Sequence, residues 1–440
     1  KLQYDGDGQQ LYFKKHYHSA EYQLDLYVFF MEKASFLTKQ NGLISYIVPN
    51  SWLKNLMFTH CRYFLATELS FETIIPNLEN IFIEASVDTL IFVARNNQNE
   101  SNEIIIGQFI NSIFSPKHKI KQKRFLENDR YIFDVEISSD SENIFKNIDD
   151  SSVDFDEICD VTRGINPYDK YRGQSEDVIK NKLYHSHYKK DETFIPEIRG
   201  KHVHRYQYLW DNKSYVSYGD WLAAPREPKY FEGERILCRQ VLGSHLNCCV
   251  ITEKFIIDQS VFIGKLKDDY ENEYRIKYIL CLFASKLYSF YFRYKANEFD
   301  ALFPKIKIGE FRKLPIKSIS FAEQIKFESK ANELEKLVKL ESELSQTFLD
   351  YIQSKFQLNT ISKKLQSWSY LEFSDFLKEL NKAKVKLTLS EEAEWMHYFN
   401  EQKQKAQALK SEIDKTDREI DWMIYELYGL TEEEIGVVES

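Results

Sequence analysis

The chain has 440 residues, 43% of them apolar, and a net charge of −9; that is enough apolar material for two or three cores and the profile of a soluble globular protein. No apolar run approaches the roughly 18 residues of a membrane span, and no cleavable signal opens the chain, so no membrane partner is expected. The six cysteines, at 61, 159, 238, 248, 249 and 281, form no Cys-x-x-Cys pair, which points to a reducing cytoplasm and away from a zinc site.

The first residue is Lys, not Met, which hints at a processed or trimmed chain. Lys1–His18 has no strong periodicity and reads as loop. Leu24, Tyr27, Val28, Met31, Ala34 and Ser35 recur at spacings of three and four and predict an amphipathic helix over Glu21–Thr38. Gly42–Val48 is a continuous apolar run of strand length, of the kind buried in a sheet covered on both faces. A helix over Lys54–Thr67 and strands over Phe71–Pro76 and Val87–Ala94 follow. Helix, strand, helix, strand is half of a doubly wound α/β sheet, and an open sheet that small leaves an edge that something must cover. Ile104–Phe109 reads as an edge strand, Lys117–Arg124 as a basic loop, and the acidic, polar Asp134–Asp156 as an inter-domain linker.

The middle of the chain changes character. Val161–Lys317 holds 28 Lys and Arg against 20 Asp and Glu, whereas the remainder carries −17. A local basic surface is the footprint of a polyanion partner, although scattered solvated lysine gives the same count. Glu234–Gln240, Cys248–Ile251 and Phe255–Gly264 read as a meander of strands, followed by an aromatic-rich helix over Tyr274–Phe292. Arg pairs bidentately with guanine and Gln with adenine, while Lys mostly neutralises phosphate. On that chemistry the candidate DNA-binding residues are Arg163, Arg199, Lys201, Arg205, Arg226, Arg239, Gln240, His245 and Lys305. The plainer alternative for each arginine is a surface charge whose stem packs on the core. His185/His187 and His202/His204 share strand faces, but lack partner ligands at metal spacing, so no metal is expected.

From Phe321 long helices take over. Ile325, Leu334, Leu337, Leu344, Phe348 and Ile352 mark the first, Ser369-x-x-Glu372 is a capping-box pattern opening a short one, and Ser390 starts a third. Ala406, Leu409, Ile413, Thr416, Ile420, Met423 and Leu427 form a coiled-coil-like seam on it, with Gly429 as its stop.

The runs Asp25–Ala34, Asn41-Gly42 to Trp52, and Asn80–Thr89 resemble adenine-specific DNA methyltransferases of restriction-modification systems, in the part of the Rossmann-like catalytic domain that follows the catalytic motif. The middle is similar to their TaqI-like target-recognition domain, and Glu419–Ile435 looks like the end of the larger single-chain members that combine restriction and modification. The resemblance implies N6-adenine methylation from S-adenosylmethionine, with base flipping and Phe82 as a residue packing the target base; as an alternative, Phe82 with Ile81 and Ile83 is core. The family's Gly-rich cofactor turn and its Asn-Pro-Pro-Tyr tetrapeptide are both missing. Asn166-Pro167-Tyr168 lacks the second proline. No catalytic residue is therefore assigned, and the cofactor-binding residues are unknown.

The expected fold class is α/β plus α+β. A partial Rossmann-like methyltransferase sheet (1–150) is followed by a mixed β-rich target-recognition domain (151–320) and a long-helix, coiled-coil region (321–440). The expected partners are double-stranded DNA and the missing N-terminal part of the same enzyme or a partner chain. A non-catalytic specificity subunit that recruits a separate methylase is the alternative, and an oligomerisation module built on the helical tail a third.

Overall fold

The computed structural model describes residues 7–21, 24–78, 81–82, 88–99, 101–150, 152–241, 243–295 and 306–439. Two compact units result, Lys1–Asn147 with Arg293–Phe299, and Ile148–Phe292 with Asp300–Ser440.

The first unit runs α1 (Asp7–His16), α2 (Leu26–Leu37), β1 (Leu43–Pro49), α3 (Thr59–Glu68), β2 (Ser70–Leu78), β3 (Thr89–Arg95), β4 (Glu103–Ile110), β5 (Ile113–Lys121), α4 (Arg124–Glu127) and α5 (Ser139–Asp149). The strands form one sheet in the order β1-β3-β2-β4-β5. A helix separates β1 from β2, so the two can run the same way; no helix is described between β2 and β3, and β3 returns antiparallel between them. Because β2 and β4 are parallel, β1, β2 and β4 all present their carboxyl ends at one rim. The β4–β5 turn is tight: Asn111 and Ser112 have φ of 50° and 63°, as a two-residue type I′ hairpin requires.

One face of this sheet is sealed by α2 and α3. Val28, Met31, Cys61 and Leu65 pack with Ile44, Val48, Phe71, Phe92 and Ile104, and Trp52 meets Phe133 edge-on at 5.1 Å. Charges taken into this core are satisfied, as burial demands. Arg62 donates to the carbonyls of Trp52, Asn55 and Arg130, and burial pushes it down to about 10. Glu32 accepts from the His18 and Ser19 amides and from the Ser19 hydroxyl.

Several expectations are corrected here. The strands of this sheet pair mostly antiparallel, with β2 and β4 the parallel pair. Gly42–Val48 is not covered on both faces: β1 alternates, with Leu43 56% and Ile47 40% exposed, and among the described residues it lies at one end of the sheet, paired with β3. Ile104–Phe109 lies inside, between β2 and β5. The basic loop is mostly strand, because Lys117, Lys119 and Lys121 occupy the outward positions of β5 while Ile120 is buried between them. That is a period-two pattern which a count of charges hides. Helix α1 stands where a loop was expected, and α5 where a linker was.

The second unit runs β6 (Ser152–Asp154), α6 (Phe155–Ile158), β7 (Cys159–Arg163), α7 (Glu176–Asn181), β8 (His185–Ser186), β9 (Phe194–Ile198), β10 (Val203–His204), β11 (Gln207–Tyr208), β12 (Tyr215–Ser217), β13 (Arg235–Arg239), β14 (Cys248–Ile251), β15 (Ile256–Ile257) and β16 (Val261–Leu266). Then come α8 (Ile276–Ala284), α9 (Lys286–Lys295), α10 (Ile308–Arg312), β17 (Pro315–Lys317), α11 (Phe321–Lys355), α12 (Lys363–Gln366), α13 (Phe373–Lys382), α14 (Leu389–Tyr428) and α15 (Glu432–Glu439). Two four-stranded sheets, β14-β13-β16-β7 and β15-β9-β12-β8, share a core of Ile165, Ile198, Val216, Leu237, Ile257 and Ile263. Gly164 is where the chain leaves the first sheet for the second. A Cβ there would lie 2.1 Å from the Ile257 carbonyl, so only glycine permits the approach.

Tyr274–Phe292 proves to be two helices. The Ser285 hydroxyl accepts from the Tyr288 amide and starts α9 afresh. Helices α11 and α14 lie antiparallel: Lys330 pairs with Glu419 at 2.6 Å, and Tyr351 stacks on Trp395 at the other end. Both begin with reciprocal capping boxes, Ser320 with Glu323 and Thr388 with Glu391, and Gly429 ends α14 at φ 64°. The Ser369/Glu372 box does not form. Trp368, stacked on Phe348 at 3.9 Å, holds Trp368–Tyr370 in a 3-10 turn, and α13 starts after Glu372 without a side-chain cap. Of the seam, Ala406, Thr416 and Ile420 are buried and the other four positions half-buried.

Arg205 fastens α14 to the body of this unit, donating to both Asp417 oxygens (2.9 and 2.7 Å) and to the Ala284 carbonyl. One turn further, Asp421 accepts the Lys286 amide at 2.9 Å. Burial pushes the Asp421 carboxyl up to about 6, against about 3.9 in an unfolded chain. The folded state thus keeps a proton that the unfolded chain has lost. Its contribution to stability is full below about pH 3.9 and is lost as pH rises through about 6. Asp421→Asn retains the acceptor for Lys286 and removes the titration. The variant's melting temperature is expected to gain on the parent's between pH 4 and 7; a constant difference across that range would contradict the assignment.

Candidate nucleic-acid interface

The basic residues singled out in the sequence converge mainly on one end of the β14-β13-β16-β7 sheet. Arg163 ends β7 opposite Phe262, with its guanidinium 5.9 Å from that ring centre, and Arg239 ends β13 opposite Val261. The Gln240 amide donates to the Ser260 carbonyl at 2.9 Å, and the Ser260 hydroxyl accepts from the Gly200 amide at 2.9 Å. Gly200 thereby sits against Arg239, whose Cγ would be 3.5 Å from a Cβ at that position, and Lys201 follows it. Arg226, exposed and at φ 63°, donates from Nε to the Gly164 carbonyl at 3.4 Å. Arg163, Lys201, Arg226, Arg239 and Gln240 therefore share one rim, each held by strand pairing or a short turn.

Charge at this rim is set by a few partners. Arg199 donates from Nε to the buried Glu197 carboxylate at 2.5 Å, which also lies 3.2 Å from His185 Nε2. Lys201 reaches Asp211 at 2.7 Å but is 61% exposed. Burial opposes ionisation of Asp211, yet Lys201, the Lys213 amide, Ser214 and His202 hold it well below the usual carboxylate range. His204 is pushed below its ordinary value by burial and by neighbouring Arg239. His245 lies in the β13–β14 connection, Nδ1 3.1 Å from the Ser244 hydroxyl. Lys305 lies outside the described residues; the next one described, Ile306, donates its amide to the Gln240 carbonyl. Arg205 is not at this rim, since its guanidinium is committed to Asp417 and Ala284. The rim can offer bidentate arginine donors and a glutamine amide to base edges, and a lysine to phosphate.

In the first unit, the carboxyl ends of β1 and β2 carry a polar chain that no sequence motif signalled. Asn50 donates to Asn77 at 2.8 Å, Asn77 (φ 56°) to Glu136 at 2.9 Å, and Lys54 pairs with Glu136 at 3.1 Å. Its members are too far apart in sequence to form a pattern. Phe82, in the β2–β3 connection beyond this chain, is 47% exposed and Ile81 49%, so both lie outside the core; Ile83 is not among the described residues. Asn166-Pro167-Tyr168 is committed to the fold of the second unit: Asn166 bridges to Ala224, and the Tyr168 hydroxyl is 2.9 Å from His185 Nδ1.

No described glycine follows a strand in a way that would cradle S-adenosylmethionine in the first unit; Gly8 is helical, Gly42 precedes β1 and Gly107 lies within β4. The residues described do not fit the cofactor. Among them no group of three or more His, Cys, Asp or Glu is placed to hold a metal, and no helix is long and apolar enough to cross a membrane.

The chain is related to restriction-modification methyltransferases that carry a target-recognition domain, as the sequence resemblance implied. Residues 2–82 match the Eco57I restriction-modification methylase family and residues 195–316 the TaqI-like C-terminal specificity domain, while residues 320–424 match a domain of unknown function, DUF8810. A curated relative, the putative type II restriction enzyme and methyltransferase RM.MjaORFECS2P of Methanocaldococcus jannaschii, is 23% identical over 301 residues, covering 67% of this chain and 25% of the relative. The chain thus spans about a quarter of that protein. Among solved structures, the type IIL restriction-modification enzyme MmeI in complex with DNA aligns over 92% of this chain and 55% of its own, at 14% identity and a TM-score of 0.37. The type IIG restriction endonuclease BpuSI aligns over 72% and 45%, at 13% identity and 0.34.

A core phenylalanine cut to alanine costs about 3–5 kcal/mol. Half-exposed Phe82 should cost far less, so the melting temperature of Phe82→Ala is expected to stay close to the parent's; a core-sized loss would return Phe82 to the interior.

Proposed function

We propose that this chain is the recognition-bearing part of an adenine-specific DNA methyltransferase of a restriction-modification system. In this reading residues 151–320 select a short duplex sequence. The first unit supplies closing strands of the methylase sheet, and Phe82 packs the adenine extruded for N6 methylation, since an enzyme acting on a stacked base must take it out of the duplex. The observation that carries the reading is the gathering of Arg163, Lys201, Arg226, Arg239 and Gln240 at one sheet end, within or beside the segment matched by the specificity-domain model. S-adenosylmethionine would be held mainly by strands that this chain lacks, and the side of β1 away from β3 is where they would pair. The six buried, unpaired thiols suit a reducing compartment such as the cytoplasm. A specificity subunit working with a separate methylase accounts for the rim but not for the methylase match over residues 2–82.

Duplex affinity should fall steeply with salt as counterions are released. Arg239→Ala is expected to lose about 1–3 kcal/mol of discrimination at one base pair, and Lys201→Ala to weaken all sequences alike. Duplex selection followed by titration measures both; binding unchanged in both variants would contradict the rim. Calorimetry with S-adenosylmethionine should show no binding by this chain alone, and micromolar binding would refute the division of labour proposed here.

A further inference from the structure

The tip of the β4–β5 hairpin is apolar and open to solvent. Phe109, Ile110, Ile113 and Phe114 are all exposed, Ile113 at 71%. The tip is built rigidly: Ile110 faces Ile113 and Phe109 faces Phe114, and the Phe114 ring covers Gly107, where a Cβ would come within 2.3 Å of it. Contiguous exposed apolar surface of this kind marks a contact site. On the same hairpin Lys117, Lys119 and Lys121 are exposed at alternate positions and Lys123 follows. Two of them pair loosely with exposed acids, Lys119 with Glu103 at 3.6 Å and Lys123 with Glu127 at 3.8 Å, while Lys117 and Lys121 act electrostatically on Glu136 and Glu142. Lysines along an edge strand also discourage the addition of further strands. That accounts for the lysines but not for isoleucines at the turn.

Direction decides what the tip faces. Since β4 is parallel to β2, the tip projects from the rim that bears the Asn50–Asn77–Glu136 chain and the connection containing Phe82. We infer that the β4–β5 hairpin is a DNA-facing wedge, its lysines following a phosphate strand and its Ile110/Ile113 tip entering the groove of a duplex held at this rim. The inference rests on the duplex-binding reading above. The chemistry is that of proteins that combine cationic contacts to the backbone with apolar side chains pressed against or between base steps.

The full chain and a 30-base-pair mixed-sequence duplex carrying 2-aminopurine test it, with anisotropy followed across a salt series. The lysine variant Lys117→Gln/Lys119→Gln/Lys121→Gln is expected to lower the slope of log affinity against log salt by about 2 to 3. Ile110→Ser/Ile113→Ser should leave that slope unchanged, weaken binding about tenfold, the scale of withdrawing one buried isoleucine, and reduce the 2-aminopurine emission gained on binding. All five side chains are exposed, and unchanged melting temperatures confirm that the variants fold. If both variants bind like the parent while Arg239→Ala weakens binding, the wedge is overturned and the duplex reading stands. If the parent binds no duplex, both fall. If the isoleucine variant changes only the sedimentation coefficient of the free protein, the tip is a contact between copies and the inference is overturned.

Discussion

A guanidinium withdrawn from water must be paired on every side, and the second unit is arranged around that requirement at Arg205. It leaves the β10–β11 turn, crosses to the last carbonyl of α8 and ends on Asp417 of α14. Three segments far apart in sequence are thus tied through one side chain. Removing one partner of such a pair leaves a largely withdrawn charge uncompensated, which is destabilising. The carboxylate one turn away, Asp421, caps the amide that restarts α9. The break in the aromatic helix and the docking of the 40-residue α14 therefore belong to one local solution.

Much of this was legible in the sequence where a local signal existed. The long helices, the stop of the last one at Gly429, and the strands β1, β2, β3, β13 and β14 follow from periodicity and end signals within a few residues. What was hidden depends on tertiary context. Strand β5 looked like a basic loop because its outward positions are lysine, and β1 looked doubly buried because a continuous apolar run does not show that Leu43 and Ile47 stand exposed. Ser285 inside an apolar run gave no warning of a break, and the acceptor of the next amide, Asp421 on Lys286, lies more than a hundred residues away.

The candidate sites divide in the same way. Residue chemistry found Arg163, Lys201, Arg226, Arg239 and Gln240, and the fold gathers them at one sheet end through Gly164, Gly200 and Ser260, small residues that let backbones approach. Chemistry alone did not separate these from Arg205, whose side chain is equally basic but is committed to the interior. The polar chain of Asn50, Asn77, Glu136 and Lys54 was invisible, because only the parallel run of β1 and β2 brings its members to the same rim.

All six cysteines are buried and none is bonded to another, and burial raises the thiols of Cys61, Cys159, Cys248, Cys249 and Cys281 well above their ordinary range. Since the thiolate is the nucleophile, the native protein offers maleimides and iodoacetamides almost nothing to attack. A single new cysteine on the surface, such as Tyr171→Cys at a position 85% exposed, would be labelled alone. The fold is thereby already a clean background for attaching a fluorophore or spin label at any chosen surface position without first removing a native residue.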